Sequence, residues 1–446
     1  PAPPPPGVTE FNNTHERARS MVVVLFDALN TADGTEYSFN QPTWRASHSF
    51  ALAKQGALRY LAHLDPNARV ALYGLDTQLR VLSDFTSNRN HLLAALRAYN
   101  PATEAGADRG GEATDVPGNF NALNGASGSA YDRVIRRAQQ VDGTVPALQQ
   151  IASHLAGLPG RISLVWMLTR PPLTGAAVEA ALGRDNIAVY TLDTRGLQAR
   201  DGVVAVSGDD NPDGGLCYAC SVARLTTEPS GLRAMEDIAN QTGGRAFINT
   251  NDIAGALTTA LADSSASYSM GFYIQSADVD NRFHQIRVKV RGKDRQVRFP
   301  HGYWALHDPA KGLPRGAAAL AAALRSPLEA SAIALQAELK PAADGFLVSG
   351  RIYINNLRLS DTNGRHTGVV VLESVSQDLT GKPLAATRTP VLLQLNEAEY
   401  LHLLQTGLRF EQQVELAPGA VTLRLIAADP SSAAVGSLII PLPSAH

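Results

Sequence analysis

Met21-Val-Val-Val-Leu-Phe26, closed by Asp27, is an unbroken apolar run of strand length. Such a run, as opposed to an alternating one, suits a central strand of a parallel sheet, because helices cover both of its faces. Downstream, Phe50, Ala53, Ala57, Leu61 and Leu64 recur at spacings of three and four, which predicts a helix over 47–64 stopped by Pro66. Runs at 70–75 and 79–85 follow, separated only by Asp76, Thr77 and Gln78. So short a gap permits only an antiparallel hairpin, so one edge strand runs against an otherwise parallel sheet. A short helix is expected over 91–99, with Ser87 or Asn88 at its N-cap.

Residues 101–129, rich in Gly, Ala, Asn and Asp, read as a long inserted loop. Helical spacing resumes at Tyr131, and a second segment around Leu148, Ile151 and Leu155 stops at Gly157-Leu-Pro-Gly160. Two more apolar strands occupy 162–168 and 187–192; 198–231 is a second irregular insertion, and helices are expected over 232–241 and 253–261. Strands alternating with helices in this way predict an α/β fold: a doubly wound, mostly parallel, Rossmann-like sheet with right-handed crossovers. Beyond Ser267 the period changes to two, at Phe272 and Ile274, at Ile286, Val288 and Val290, and at Val297 and Phe299, as for a strand pair or triplet ending near Trp304.

A chain of 446 residues exceeds one ordinary core. The expected division is a Pro-rich linker over 1–20, the α/β domain with its terminal β extension over 21–310, a connector over 311–330 with a short helix at 317–324, and a β-sandwich over 331–446. Within the last region, short β-type runs separated by Asp-Gly, Thr-Gly-Lys-Pro and Pro-Gly clusters point to an all-β, immunoglobulin-like sandwich. The Pro1-Ala-Pro-Pro-Pro-Pro-Gly7 start, with no Met and no signal-like region, reads as a processed or trimmed product.

Charge is balanced, with 39 Lys plus Arg against 41 Asp plus Glu, so no global field favours nucleic acid or an anionic membrane. No stretch approaches the ~20 apolar residues of a membrane span, so no membrane insertion is expected.

Several phrases occur in a shared order: Val24-Leu-Phe-Asp-Ala-Leu-Asn-Thr31, Arg69-Val-Ala-Leu-Tyr73, Leu82-Ser-Asp-Phe-Thr86, Leu158-Pro-Gly-Arg161, Tyr190-Thr-Leu-Asp-Thr-Arg-Gly-Leu197 and Ala239-Asn-Gln-Thr-Gly-Gly-Arg-Ala-Phe247. Over about Pro5 to Trp304 the chain resembles the von Willebrand factor type A-related proteins described from acidobacteria, and the β-sandwich is similar to the region often attached to them. The resemblance implies an exported bacterial protein with a binding fold.

It also implies a place to look for a metal. Type A domains bind a divalent cation above the carboxyl ends of the strands, through an Asp-x-Ser-x-Ser loop, a Thr from a second loop and an Asp from a third. Here the first loop reads Asp27-Ala-Leu29-Asn30-Thr31, so Asp27 and Thr31 match while Leu29 replaces a hydroxyl. Thr144, in Asp-Gly-Thr-Val-Pro-Ala-Leu148, opens a helix and stands for the second-loop Thr. The third loop reads Thr169-Arg170-Pro-Pro172, which sets Arg170 where a carboxylate belongs; its guanidinium would repel the ion and pair with Asp27 instead. A vestigial site without cofactor is expected, the alternative being Mg²⁺ or Ca²⁺ held by Asp27, Thr31 and Asn30 or Asp33.

Three other features belong to the same reading. Cys217 and Cys220, the only cysteines, form a lone CxxC that reads as a local disulfide or two free thiols. Asp209, Asn211 and Asp213 match the opening of a calcium loop, but position twelve is Cys220 and Pro212 lies inside, so a solvated turn is favoured over a weak calcium turn. At Asp193 and Arg195 a structural ion pair or turn cap is expected. With no nucleophile elbow, zincin motif or phosphate loop, the chain reads as a non-catalytic secreted or envelope protein. It would recognise a protein or glycan through the loops at 28–40, 101–129 and 169–174. The alternative to this adhesion role is a structural subunit, assembled into a homo-oligomer or filament through sheet edges and the Pro-rich arm.

Overall fold

The strand β2 (Ser20–Asp27) is buried along its whole length, and with β3 (Ala68–Leu75), β4 (Leu79–Thr86), β5 (Ile162–Leu168), β6 (Ile187–Asp193) and β7 (Ala246–Phe247) it builds a six-stranded sheet in the order β4-β3-β2-β5-β6-β7. This is the computed structural model of the chain, in which the described residues are 9–13, 20–31, 42–101, 130–158, 160–182, 187–197, 231–265, 280, 282–290, 297–305, 315–342, 345–414 and 417–442. All neighbours in the sheet are parallel except β3 and β4, which form the expected antiparallel hairpin. The unit is therefore mixed α/β with a mostly parallel sheet.

Its helices are α1 (Pro42–Ala62), α2 (Arg89–Ala98), α3 (Ala130–Leu155), of which residues 130–148 fall in this unit, α4 (Gly175–Leu182), α5 (231–242) and α6 (Ile253–Ser265). Successive strand residues point to opposite faces. Val22, Val24, Phe26, Val165, Met167, Tyr190 and Leu192 accordingly share one core with Ala57 and Leu61 of α1, Leu96 of α2 and Leu257 of α6. Each fully buried Val, Leu, Phe or Met among them contributes about 1.5–3 kcal/mol. The other face carries Trp166 and Thr191, whose hydroxyl donates to the Met235 carbonyl of α5. Near the carboxyl end of β2 the rings of Phe26, Phe50 and Tyr99 meet at centroid distances of 5.8–6.4 Å. A Cβ at Gly74 would collide with the Tyr99 ring, so this close approach requires glycine at that point of β3. Asn88 caps α2, its side chain accepting the His91 N–H at 3.1 Å.

Three expectations for this unit need correction. The two helical segments at 131–155 are a single helix, α3, which runs through Pro146, so Thr144 lies inside a helix and does not open one. Proline removes one helical hydrogen bond, but the buried stripe Ala147, Leu148, Ile151 and Leu155 on its carboxyl side holds the helix to its packing. The period-two stretches at 286–290 and 297–299 are not strands; the antiparallel pair lies just outside them, in β8 (Phe283–Gln285) and β9 (Gly302–Trp304). Val290 and Val297 are exposed, so no core fixes that alternation in a ladder. Asp33, Asp209, Asn211, Asp213, Cys217, Cys220 and most of the 101–129 loop lie outside the described residues.

The second compact unit comprises residues 1–17, 149–159 and 307–446. Its first sheet has the order β1-β10-β11-β15 and its second β12-β13-β16-β17 with β14 on β13. The strands are β1 (Thr9–Asn12), β10 (Leu335–Ala342), β11 (Gly345–Ile352), β12 (Ser360–Thr362), β13 (Arg365–Gln377), β14 (Pro383–Leu395), β15 (Leu408–Val414), β16 (Thr422–Ala428) and β17 (Val435–Pro441), and all their pairings are antiparallel. Leu335, Val348 and Phe410 of the first sheet share one core with Leu372, Leu425 and Ile440 of the second.

Here the linker expected over 1–20 is corrected: Thr9–Asn12 is a strand paired with β10 in the register Thr9↔Leu339 to Asn12↔Gln336. The buried Asn13 that follows donates to the carbonyls of Ala330 (2.7 Å) and Ile333 (2.9 Å) and accepts the Leu335 N–H (2.7 Å). The 311–330 connector also belongs to this unit. It forms α7 (Arg315–Arg325), whose Leu320 and Ala323 pack on Ile426, Ala428 and Val435. A helix the sequence reading missed, α8 (Glu397–Thr406), starts with a capping box between Asn396 and Glu399.

Candidate functional site

A doubly wound sheet opens a crevice where its connections switch direction, beyond the carboxyl ends of two adjacent strands. The order β4-β3-β2-β5-β6-β7 puts that switch between β2 and β5, and Asp27 is the last residue of β2. The chain then turns at Ala28 and Leu29, whose N–H groups both donate to the Leu75 carbonyl at the end of β3, at 2.8 and 3.1 Å. Asn30 and Thr31 follow, both buried. Their backbone is tied to the loop after β5: the Thr169 and Arg170 N–H groups donate to the Asn30 carbonyl at 3.3 Å, and the Thr169 hydroxyl to the Thr31 carbonyl at 3.2 Å.

Asp27 is 1% exposed. Its Oδ1 accepts the Asn30 backbone N–H at 2.9 Å, and its Oδ2 accepts the Asn30 amide at 2.6 Å and the indole N–H of the fully buried Trp166 at 2.7 Å. The Asn30 Nδ2 also donates to the Thr144 hydroxyl at 2.9 Å, and the Thr31 hydroxyl turns back onto the Asp27 carbonyl. Burial pushes the Asp27 carboxyl up from its ordinary 3.8 to about 6, against the lowering effect of its Asn30, Trp166 and Leu29 hydrogen bonds. Leu29 packs against Gly143 of α3, and its carbonyl accepts the Gln140 amide at 3.3 Å.

Asp27 and Thr144 are thus joined through the Asn30 amide, while the Thr31 hydroxyl is engaged with the Asp27 backbone carbonyl. Trp166 and the role of Asn30 were not foreseen. The expected Arg170–Asp27 pair does not form: the Arg170 side chain lies over Gly231, where a Cβ would come within 3.3 Å of its Nε. The physical reason is that both Asp27 oxygens already have donors, at a depth a hydrated guanidinium would have to desolvate to reach.

A divalent cation would need Asp27 and Thr144 oxygens converging on one point at about 2.1 Å for Mg²⁺ or about 2.4 Å for Ca²⁺. That point faces a nitrogen donor, and each Asp27 oxygen is already hydrogen-bonded, so the residues present do not fit the ion. Among the described residues there is also no group of three or more His, Cys, Asp or Glu placed to hold a metal.

The neighbouring strand ends are closed in the same manner. At the end of β6, Asp193 takes a two-point ion pair from Arg195, at 3.0 Å to Nε and 2.9 Å to Nη2, and also accepts the Arg195 backbone N–H at 3.0 Å. Beyond β3, Asp76 accepts the Thr77 N–H at 2.7 Å and Arg80 Nε at 2.7 Å. The hydroxyls of Thr169 and Thr194 lie 3.3 Å apart. Leu197, just past β6, is 62% exposed at this edge and is anchored by the Asn251 side chain, which accepts its N–H at 2.9 Å. Among the described residues no helix is long and apolar enough to cross a membrane.

No protein-family model matches the chain, and no curated protein matches it. Among solved structures it is similar to BatB, a conserved hypothetical protein from Bacteroides thetaiotaomicron, at 15% identity and a TM-score of 0.30, over 56% of this chain and 100% of that one. It is similar to a von Willebrand factor type A protein from Catenulispora acidiphila at 8% identity and a TM-score of 0.27, over 97% and 70% of the two chains. A third is the vWF domain of the type V pili tip protein Mfa5 from Porphyromonas gingivalis, at 14% identity and a TM-score of 0.20, over 34% and 39%. Likenesses at this level establish neither a ligand nor an activity.

Proposed function

We propose that the chain is a non-catalytic binding protein of the bacterial envelope or exterior, which recognises a protein or glycan through loops carried on the carboxyl edge of the type A-like sheet. The observation that carries this reading is the edge itself. Asp27, Asp76, Asp193 and Thr169 are each held by hydrogen bonds or an ion pair to neighbouring residues, so the strand ends form a braced platform. Recognition elements on loops depend on such a rigid support. The resemblance to type A-related proteins of acidobacteria supports export, and the two-sheet unit is read as an immunoglobulin-like companion domain.

Glycan and peptide arrays probed with the whole chain test this. Binding should persist in EDTA and fall at least tenfold when 102–129 is replaced by a Gly-Ser linker or Leu197 by Asp, with unchanged melting temperature. Binding that ignores both variants overturns the proposed face.

One observation favours a second reading, a scaffold subunit assembling with copies of itself. The strand β14 is thirteen residues long, is exposed over most of its length and, among the described strands, pairs with β13 alone; Leu392 on it is 73% exposed. An edge of that kind is a template for strand addition, although Pro390 deletes one N–H from its ladder. Light scattering after size exclusion separates the two: a concentration-dependent oligomer abolished by Leu392→Lys supports the scaffold, a monomer removes it.

A further inference from the structure

We propose that the Asn30 side-chain amide, with the Trp166 indole behind it, is a built-in substitute for a divalent cation at the end of β2, so that this edge is fixed without metal. The geometry is specific. The Asn30 Nδ2 bridges Asp27 Oδ2 at 2.6 Å and Thr144 Oγ1 at 2.9 Å, which are two oxygens of the set a type A ion would share. Its two N–H bonds satisfy two acceptors on elements far apart in the chain, β2 and α3. Trp166 Nε1 supplies a further donor to Oδ2, and the Asn30 backbone N–H occupies Oδ1.

The orientation of the amide follows from its two acceptors, although it leaves the Asn30 Oδ1 buried without a hydrogen-bond partner. Reversed, it would set a carbonyl oxygen against an ionised carboxylate oxygen at 2.6 Å. A neutral amide thereby does two jobs of the ion, tying the first loop to α3 and shielding a buried carboxylate, without the ion's charge. Leu29, seated on Gly143, adds an apolar contact where the motif would offer a hydroxyl. The lock holds whatever ligand the edge recognises.

Asn30→Asp is the informative variant, because it keeps the shape and turns the bridging donor into an oxygen. Melting curves and calorimetry of the whole chain are recorded in EDTA and in millimolar Mg²⁺, Ca²⁺ or Mn²⁺. The wild type should show no heat of binding and no shift, whereas Asn30→Asp should melt about 5 °C or more lower in EDTA and recover with at least one cation. A wild-type binding heat that Asp27→Asn removes overturns the proposal. So does an Asn30→Asp melting point equal to wild type in EDTA, or a lowered one that no cation raises. If that variant does not fold, the Asn30 side-chain amide protons of the ¹⁵N-labelled wild type decide: slow exchange unaffected by Mg²⁺ supports the lock, and rapid exchange or Mg²⁺-induced shifts overturn it.

Discussion

Replacing Trp166 by Phe separates the charge at Asp27 from the packing around it. Trp166 is fully buried and its Nε1 lies 2.7 Å from Asp27 Oδ2. Trp→Phe removes that donor and leaves a small void, whose cost of roughly 1–2 kcal/mol does not depend on pH. The hydrogen bond does depend on it. Burial pushes the Asp27 carboxyl from an ordinary 3.8 up to about 6 in the folded chain, so the penalty for its buried charge is absent below pH 3.8 and is felt in full once the pH has risen through about 6. The wild type is thereby ~3 kcal/mol less stable at pH 8 than an unperturbed Asp would leave it.

At pH 8 the carboxylate is ionised and the indole bond is charge-assisted, worth about 1.5–3 kcal/mol; at pH 5 it is neutral and worth about 1 kcal/mol. Trp166→Phe should therefore cost about 2.5–5 kcal/mol at pH 8 and about 2–3 kcal/mol at pH 5. The excess should open above pH 6, because losing a donor pushes the Asp27 carboxyl higher still. Urea unfolding followed by far-UV circular dichroism at the two pH values measures both numbers. Penalties equal within about 0.5 kcal/mol would refute the assignment of Trp166 as a partner of the charge.

In the two-sheet unit, Asn13→Ala strands the Ile333 carbonyl and the Leu335 N–H in a buried setting and takes one of two donors from the Ala330 carbonyl, which keeps the Ser437 N–H at 2.8 Å. It should lower stability by about 2–4 kcal/mol, read from the urea midpoint, with loss of amide protection along β10. Asn396→Ala breaks the capping box of α8, where Asn396 accepts the Glu399 N–H at 2.9 Å. It should cost about 1 kcal/mol and speed hydrogen exchange in residues 397–406 while leaving β2 to β6 unchanged.

The parallel sheet was legible because its strands are buried on both faces and so read as continuous runs, 162–168 most clearly. The same property hid Trp166. Inside Ile-Ser-Leu-Val-Trp-Met-Leu an indole looks like core, and no pattern announces that its N–H has a carboxylate partner. Asn30 was open to a closer reading, since Asp27 and Asn30 stand at the i, i+3 spacing at which a carboxylate caps a turn. The capping box at Asn396 and Glu399 was equally available, but the leucines of 397–406 are not arranged in a buried stripe, and no residue of α8 is buried. β1 could not have been found locally. Four residues beside a proline run carry no periodicity, and what makes them a strand is a ladder with residues more than three hundred positions away.

That ladder has a consequence for how the protein is made. Asn13 precedes its partner Leu335 by 322 residues, and the whole α/β unit is encoded between them. At a ribosomal pace of about 5–20 residues per second, β1 has left the tunnel for roughly 15–60 s before β10 exists. The α/β sheet can assemble in that interval from its own contiguous segments, whereas the two-sheet unit cannot close its first sheet. Among the described strands β1 is thus synthesised ahead of the others and is one of the last to be seated. Its shortness and proline-rich approach limit what else it can pair with while it waits.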